Sequence, residues 1–259
     1  MASVKANDLE TFYLEQGTGT PVLHIHGNWA TSSWWEPLLA RLPAGRRALA
    51  PDLRGRGKTR GPDSDYSVSS LASDVLAFAG ALGLDRFDLV GHSLGSCVAM
   101  EIGLTHPERL RSLVVVSPGW IDGMPASYAM PEHQQRLKDD PTFLNAALHA
   151  IVPVAEDDFW KRLVREGGEQ RIEAAMGLIP ALMDWKPGDA VGRIDVPRVV
   201  IAGANDLFTG GPNAVRVAQA LRCELVTMPG VSHGPMLEAP DAFAELVWGH
   251  LSPRDTAAA

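Results

Sequence analysis

Six short apolar runs, each followed by a stretch with helical periodicity, constrain the fold of this chain more than any other feature. The runs are too short for buried helices and most are rich in β-branched residues, which is typical of strands buried on both faces of a sheet. They occupy residues 22–25, 47–50, 87–90, 113–116, 199–201 and 225–228. Strands that alternate with helices predict an α/β fold, in which a mostly parallel central sheet is flanked by helices.

The helices expected on the two faces of the sheet end at recognisable signals, such as Gly83 and Pro107. They are predicted at residues 33–42, 68–82, 94–105, 214–221 and 240–250. Residues 11–15 predict one additional strand, antiparallel to its neighbour and at the edge of the sheet.

The alternation stops between residues 119 and 190, where three helical patterns follow one another without a strand. These patterns cover residues 132–151, 156–166 and 170–185, and glycines and prolines separate them. A chain of 259 residues suits one α/β core with one insertion. We therefore expect residues 1–118 and 191–254 to form the core, and residues 119–190 to form a helical cap.

Charge and spacing exclude several classes of partner. The formal net charge is −8, from 23 Lys and Arg against 31 Asp and Glu, so phosphate backbones and anionic membranes meet no basic surface. No apolar run has the length of a secretory or membrane-spanning segment, which predicts a cytoplasmic protein. Cys97 and Cys223 form no C-x-x-C motif and no histidine pair has metal-ligand spacing, so neither metal nor cofactor is expected. The expected partner is a small-molecule substrate, and the oligomeric state stays open.

The segment from Phe87 to Gly95 places a serine between a buried strand and a helix, in the G-x-S-x-G pattern of a nucleophile elbow. Side chains at Gly91 and Gly95 would clash with the backbone in so tight a turn, while Ser93 takes a strained conformation. The turn exposes the Ser93 hydroxyl. At the N-terminus of the helix, the N–H of Leu94 is free to stabilise a developing oxyanion.

A serine needs a histidine as base and a carboxylate to orient that histidine. Asp206 and His233 each follow the end of a predicted strand, in the chain order serine, acid, histidine. Asp122, which follows the strand at 113–116, is the alternative acid. The second oxyanion donor is expected in the loop after the first parallel strand, where Gly27 precedes the N–H of Asn28.

Large side chains near the strand ends and in the insertion are candidates for the wall of a substrate pocket, although aromatic residues equally often serve only for packing. The candidates are Trp29, His92, Trp120, Met124, Tyr128, Trp160 and Met183. Such a wall favours an apolar or aromatic substrate.

These motifs resemble the α/β-hydrolase superfamily over nearly the whole chain. The resemblance rests on His26-Gly27, on Asp52-Leu-Arg-Gly-Arg-Gly57, on the elbow at Ser93, on Gly203-x-x-Asp206 and on Gly230-x-x-His233. The chain departs from the pattern at Ser96, where many relatives have glycine, and at Lys58-Thr59, where relatives often have serine. Relatives with a serine nucleophile are mostly carboxylesterases, lactonases, thioesterases and carbon–carbon bond hydrolases. Those with an aspartate nucleophile, the epoxide hydrolases and dehalogenases, do not match Ser93.

The sequence thus predicts a serine hydrolase that cleaves a small to medium carboxylic ester or lactone with an apolar portion, through an acyl-enzyme on Ser93. Two alternatives stay open. One is a thioesterase or cyclase that transfers the acyl group to an internal nucleophile. The other is a ligand receptor that keeps the fold without turnover.

Overall fold

The computed structural model describes residues 2–63, 65–128 and 130–251, and within them an eight-stranded sheet forms the centre of the molecule. The strands are β1 (Ala2–Ala6), β2 (Leu9–Gly17), β3 (Thr20–Ile25), β4 (Arg46–Pro51), β5 (Phe87–His92), β6 (Leu110–Val116), β7 (Arg198–Gly203) and β8 (Glu224–Met228). Their spatial order is β1-β2-β4-β3-β5-β6-β7-β8. All pairs from β4 to β8 are parallel, so the predicted mostly parallel α/β sheet is confirmed.

The predicted strand at residues 11–15 is antiparallel, but its position at the edge was wrong. It lies within β2, which pairs with β4 on one side and with β1 on the other, so that β1 forms the edge. Sequence reasoning missed β1 because its five residues contain no apolar run. The available signal was Asn7, which has a positive φ of 55° and turns the chain between β1 and β2.

Helices cover both faces of the sheet. They are α1 (Glu36–Leu39), α2 (Val68–Ala81), α3 (Leu94–Thr105), α4 (Pro131–Asp139), α5 (Pro141–Ile151), α6 (Asp158–Gly168), α7 (Ile172–Asp184), α8 (Gly211–Leu221), α9 (Pro235–Glu238) and α10 (Pro240–His250). Alternate side chains of the strands enter two separate apolar clusters, as Leu89 and Val90 of β5 do. One cluster receives α2, α3 and α8, and the other receives α1, α10 and the helices α5 and α6.

The stretch between β6 and β7 contains α4, α5, α6 and α7, hereafter the inserted helices. The pattern at residues 132–151, predicted as one helix, is divided into α4 and α5. Pro141 has no N–H to continue the first helix. Asp140 begins the second by accepting the N–H groups of Thr142 and Phe143.

The predicted helix at residues 33–42 is also shorter in the structure. A 3-10 turn at Ser32–Trp35 precedes the four residues of α1. None of the helices in the described ranges has the length and apolar character needed to cross a membrane.

Candidate active site

Ser93 stands at the sharp turn between β5 and α3. Its φ of 53° and ψ of −118° place a residue with a side chain in a region that normally favours glycine. A Cβ at Gly91 would lie 2.3 Å from the carbonyl oxygen of Gly95, and one at Gly95 would lie 2.2 Å from that of Ile25. Both glycines are therefore required by the turn, as the sequence predicted.

Ser96, at which the chain departs from the pattern that it resembles, joins the serine turn to the loop after β6. Its hydroxyl donates to the carbonyl oxygen of Ser93 and accepts the N–H of Gly119 at 2.9 Å. The N–H of Ser93 donates to the carbonyl oxygen of Val116 at 3.0 Å. The Ser96 side chain therefore adds two hydrogen bonds, one within the turn and one to the loop after β6.

His233 and Asp206 lie at the ends of the neighbouring strands β8 and β7. The Nδ1–H of His233 donates to Oδ2 of Asp206 over 2.9 Å, and both side chains are buried. Asp206 also accepts hydrogen bonds from the N–H of Phe208, the N–H of Thr209 and the Thr209 hydroxyl. Burial alone would raise the pKa of Asp206, but the hydrogen bonds from His233 and Thr209 and the charge of His233 outweigh it and lower that pKa.

The alternative acid, Asp122, is not the partner of His233. Its carboxylate pairs with Nε and Nη2 of Arg216 at 2.9 Å, and more than half of its side chain is exposed to solvent. Of the two acids, Asp206 is the one whose carboxylate contacts His233.

Two further side chains fix the loop that carries His233. Glu238 accepts the N–H groups of Ser232 and Gly234 at 2.7 and 2.8 Å, one on each side of the histidine. The Nε2–H of His92 donates to the carbonyl oxygen of His233 at 2.8 Å. Burial, with the charge of His233, lowers the pKa of His92 to about 3, so His92 is neutral. Sequence reasoning missed Glu238, and its signal was a carboxylate five residues after the histidine, in a short helix.

Asn28 and Leu94 line one cavity together with Ser93 and His233. Leu94 begins α3, so its N–H belongs to the first turn and has no partner within the helix. Among the hydrogen bonds of the described residues, neither N–H is a donor. The structure thus brings together the serine, the histidine and both predicted oxyanion donors.

Comparison with known proteins identifies the family of the chain. Residues 22–246 match the Alpha/beta hydrolase family. The chain belongs to this family. It is 30% identical over 262 residues to the RutD protein of Azorhizobium caulinodans, whose name assigns it carbamate hydrolysis, with 96% of this chain and 97% of that protein covered.

Two more similar proteins extend the comparison. The pyrrolizixenacetamide deacetylase of Xenorhabdus hominickii is 26% identical over 271 residues, covering 98% of this chain and 99% of the relative. Among solved structures, the enol-lactonase from Burkholderia xenovorans superposes with a TM-score of 0.85 at 21% identity, covering 96% of this chain and 99% of that chain. The latter similarity establishes the fold.

The cavity of this α/β hydrolase has a volume of about 340 Å³ and contains five of the seven predicted pocket residues: Trp29, His92, Trp120, Met124 and Tyr128. Trp160 and Met183 do not line it. Trp160 is buried between helices, where its Nε1–H donates to Oδ1 of Asn145 at 2.7 Å. On α7, the residues that line the cavity are Leu178, Ile179 and Leu182, and their neighbour Met183 is not one of them.

The wall of the cavity is apolar and has an aromatic region next to His233. Phe208, which sequence reasoning missed, lies edge-on to the His233 ring with centroids 5.1 Å apart. Its ring also contacts Trp120 and Tyr128, at 5.8 and 5.6 Å, and those two rings are 5.1 Å apart. The available signal was its position two residues after Asp206.

Charged groups are absent from this wall: none of the described residues that line it is Asp, Glu, Lys or Arg. Among the residues that the structure describes, no group of three or more His, Cys, Asp or Glu is arranged to hold a metal ion. The arrangement is suited to chemistry on a carbonyl group carried out by side chains and backbone N–H groups.

Proposed function

We propose that this α/β hydrolase is a serine hydrolase that cleaves neutral carboxylic esters or lactones with an apolar portion, through an acyl-enzyme on Ser93. The observation that carries the proposal is the position of His233. Its Nδ1–H is bonded to Asp206, and its ring and Ser93 both line the apolar cavity.

The reaction follows from the hydrogen bonds of the histidine. Because Nδ1 is bonded to Asp206, Nε2 is the nitrogen free to accept the Ser93 proton as Oγ attacks the carbonyl carbon. The N–H groups of Asn28 and Leu94 stabilise the resulting oxyanion. The C–O bond of the ester then breaks, and the leaving alcohol takes the proton from His233. Water adds to the acyl-enzyme with His233 again as base, which releases the acid and restores Ser93.

The cavity wall supports a neutral substrate. A carboxylate or ammonium group on the substrate would lose its hydration without meeting an opposite charge, which is costly in an apolar site. The leaving group must reach His233 to be protonated. The rings of Phe208, Trp120 and Tyr128 lie on that side, so they favour an aromatic or flat leaving group.

The names of the similar proteins support acyl transfer to water in general, without singling out esters or lactones. A deacetylase, a carbamate hydrolase and an enol-lactonase all act by name on carbonyl compounds. We place the substrate among esters and lactones because the cavity offers apolar surface and few polar groups.

The test is intact-mass labelling with a fluorophosphonate, together with hydrolysis of p-nitrophenyl acetate, butyrate and octanoate. The wild type is expected to gain one adduct and to release p-nitrophenol, and Ser93→Ala is expected to do neither. Ser73→Ala, on the exposed face of α2, is the matched control and should behave as the wild type.

Two outcomes would contradict the proposal. Without adduct or turnover in the wild type, the serine mechanism fails and tight ligand-induced stabilisation would favour a receptor. The second outcome is a fluorophosphonate adduct on Ser93 with no ¹⁸O from labelled water in the product released from the ester. It would favour a thioesterase or cyclase that transfers the acyl group internally.

A further inference from the structure

Trp29, the residue after the expected oxyanion donor Asn28, has an unusual backbone. Its φ is 52°, in the left-handed region, which a bulky aromatic residue rarely adopts. Such a conformation persists only where surrounding contacts hold it. The contacts around Trp29 therefore bear on the geometry of Asn28.

Three contacts hold Trp29, and all come from the inserted helices or the loop between them. The backbone N–H donates to Oε1 of Gln170 at 3.2 Å, and the indole Nε1–H donates to Oε1 of Gln134 at 3.0 Å. The carbonyl oxygen lies against Gly167, where an added Cβ would stand only 2.3 Å from it. The backbone N–H, the carbonyl oxygen and the indole ring of Trp29 are thus all contacted by the inserted helices or the loop between them.

Gln170 is built into this contact. Its side chain is 1% exposed, and within the described part of the chain its Nε2 has no hydrogen-bond partner. Only the acceptor end of the amide is therefore used, and it is used on Trp29. Lys138 donates to the carbonyl oxygens of Gly168 and Gln170, and these two bonds hold the loop that carries Gln170.

The segment from the loop after Trp29 to the start of α1 is joined to the inserted helices as well. The Thr31 hydroxyl donates to Oε2 of Glu166 at 3.1 Å, and Arg162 pairs with Glu36 at 2.6 Å. On the core side, the buried Arg56 donates from Nη2 to Oδ1 of Asn28 at 3.2 Å. Asn28 is therefore held by the core through its side chain and by the inserted helices through the next peptide.

We propose that Gln170 and Gln134 are positioning residues for the oxyanion-binding loop, so that docking of the inserted helices sets the rate of acyl transfer as well as the shape of the pocket. The N–H of Trp29 belongs to the peptide that follows Asn28. When Gln170 fixes that peptide, it also fixes the orientation of Asn28. The backbone N–H of Asn28 is then directed toward the oxyanion. This inference rests on the proposed function, because it assigns a support to a donor of that reaction.

The test compares Gln170→Met, which removes the acceptor, with Gln170→Glu, which keeps it. Gln170→Met is expected to lower kcat about 10- to 100-fold with KM changed less than about 3-fold, since a displaced oxyanion donor acts mainly in the transition state. Gln170→Glu should lose less of kcat than Gln170→Met, because it keeps the accepting oxygen but buries a carboxyl group. Gln134→Met should show a smaller loss of kcat, and Gln135→Met, on the exposed face of the same helix, should show none.

Inhibitor binding separates positioning from simple loosening. A trifluoromethyl ketone forms a tetrahedral adduct with a serine and places an oxyanion in the donors, whereas the corresponding methyl ketone binds without the adduct. Gln170→Met should weaken the trifluoromethyl ketone by the same factor as kcat/KM and leave the methyl ketone unchanged. Equal weakening of both ketones, or a lower melting temperature with unchanged kcat, would overturn the inference.

The two proposals can fail separately. If the wild type forms no adduct on Ser93 with the trifluoromethyl ketone, the serine mechanism itself is wrong. If the wild type forms the adduct and Gln170→Met binds the ketone equally well, the mechanism stands and the positioning role does not. Should Gln170→Met fail to fold, Gln134→Met and Gln135→Met carry the test through the two ketones. Because Gln134 lines the cavity, only a loss confined to the trifluoromethyl ketone would then support the positioning role.

Discussion

The Nδ1 atom of His233 lies 2.9 Å from Oδ2 of Asp206, with both side chains buried at the ends of neighbouring strands. Asp122, the other acid with a suitable place in the sequence, instead pairs with Arg216 at the surface. The two carboxylates therefore differ in the one contact that orients the base.

This difference predicts a large loss of kcat for one isosteric substitution and almost none for the other. Asp206→Asn keeps the shape but no longer favours the tautomer with a proton on Nδ1, so kcat should fall by about 10⁴. Asp122→Asn should leave kcat within about 2-fold, because it removes only an exposed ion pair. Steady-state kinetics of both variants on p-nitrophenyl butyrate check this, and a large loss in Asp122→Asn would contradict the assignment.

Glu238 predicts a second effect on the histidine loop. Its carboxylate accepts two N–H groups that flank His233, and an amide offers only one accepting oxygen. Glu238→Gln should therefore lose one of these bonds, lower stability by about 1–3 kcal/mol and reduce kcat about 10-fold as the histidine becomes less well placed. Chemical denaturation and kinetics measure the two effects. Glu224→Gln, at an exposed site on β8, is the control, and unchanged kinetics in Glu238→Gln would show that the loop is held by other contacts.

The elbow and the histidine pair were predictable because their signals are local. Gly91, Ser93 and Gly95 are dictated by one tight turn, and His233 and Asp206 follow strands whose ends meet at one edge of the sheet. The pocket wall was predicted less well. Trp160 was expected in it and Phe208 was not, because the direction in which a helical or loop residue points depends on tertiary packing.

The support of Trp29 by Gln170 was also beyond sequence reasoning. The two residues are 141 positions apart, and neither residue type is unusual in its local sequence. The edge strand β1 was missed for a different reason. Its alternating residues pair with β2 through the backbone, and such pairing leaves little trace in a five-residue sequence.

The aromatic region beside His233 predicts selectivity for the leaving group. Benzyl acetate and cyclohexylmethyl acetate release alcohols of similar size and acidity, and only the first offers an aromatic ring. An aromatic contact contributes about 0.5–1.5 kcal/mol, so the wild type should prefer benzyl acetate in kcat/KM by about 2- to 12-fold. Phe208→Leu should remove most of this preference, because it removes the ring that joins the aromatic region to His233.

Acyl-side substrates provide the control for this selectivity. The ratio of kcat/KM for methyl benzoate and methyl cyclohexanecarboxylate should be the same in wild type and Phe208→Leu. Phe143→Leu, which removes an aromatic ring on α5 outside the cavity wall, should change neither ratio. A change confined to the acyl-side ratio would place the aromatic region on the other half of the substrate.

Three buried histidines predict that the fold weakens in mild acid. Burial lowers the pKa of His24 to about 4 and the pKa values of His26 and His92 to about 3, from an ordinary value near 6.5. Near pH 5 the unfolded chain therefore binds about three protons that the folded chain does not. Stability that is present above pH 6.5 is lost as the pH falls, at roughly 4 kcal/mol per pH unit near pH 5.

Guanidinium unfolding at pH 7.5, 6.0 and 5.0 measures this slope. His24→Phe removes one of the three groups from a site between Trp35 and Trp248, away from the described cavity wall, so the slope near pH 5 should fall by about one third. Activity at pH 7.5 should be unchanged. His106→Phe, at the exposed end of α3, should leave the slope unchanged. A wild type equally stable at pH 6.0 and pH 5.0 would mean that the buried histidines gain protons without unfolding, which contradicts their lowered pKa values.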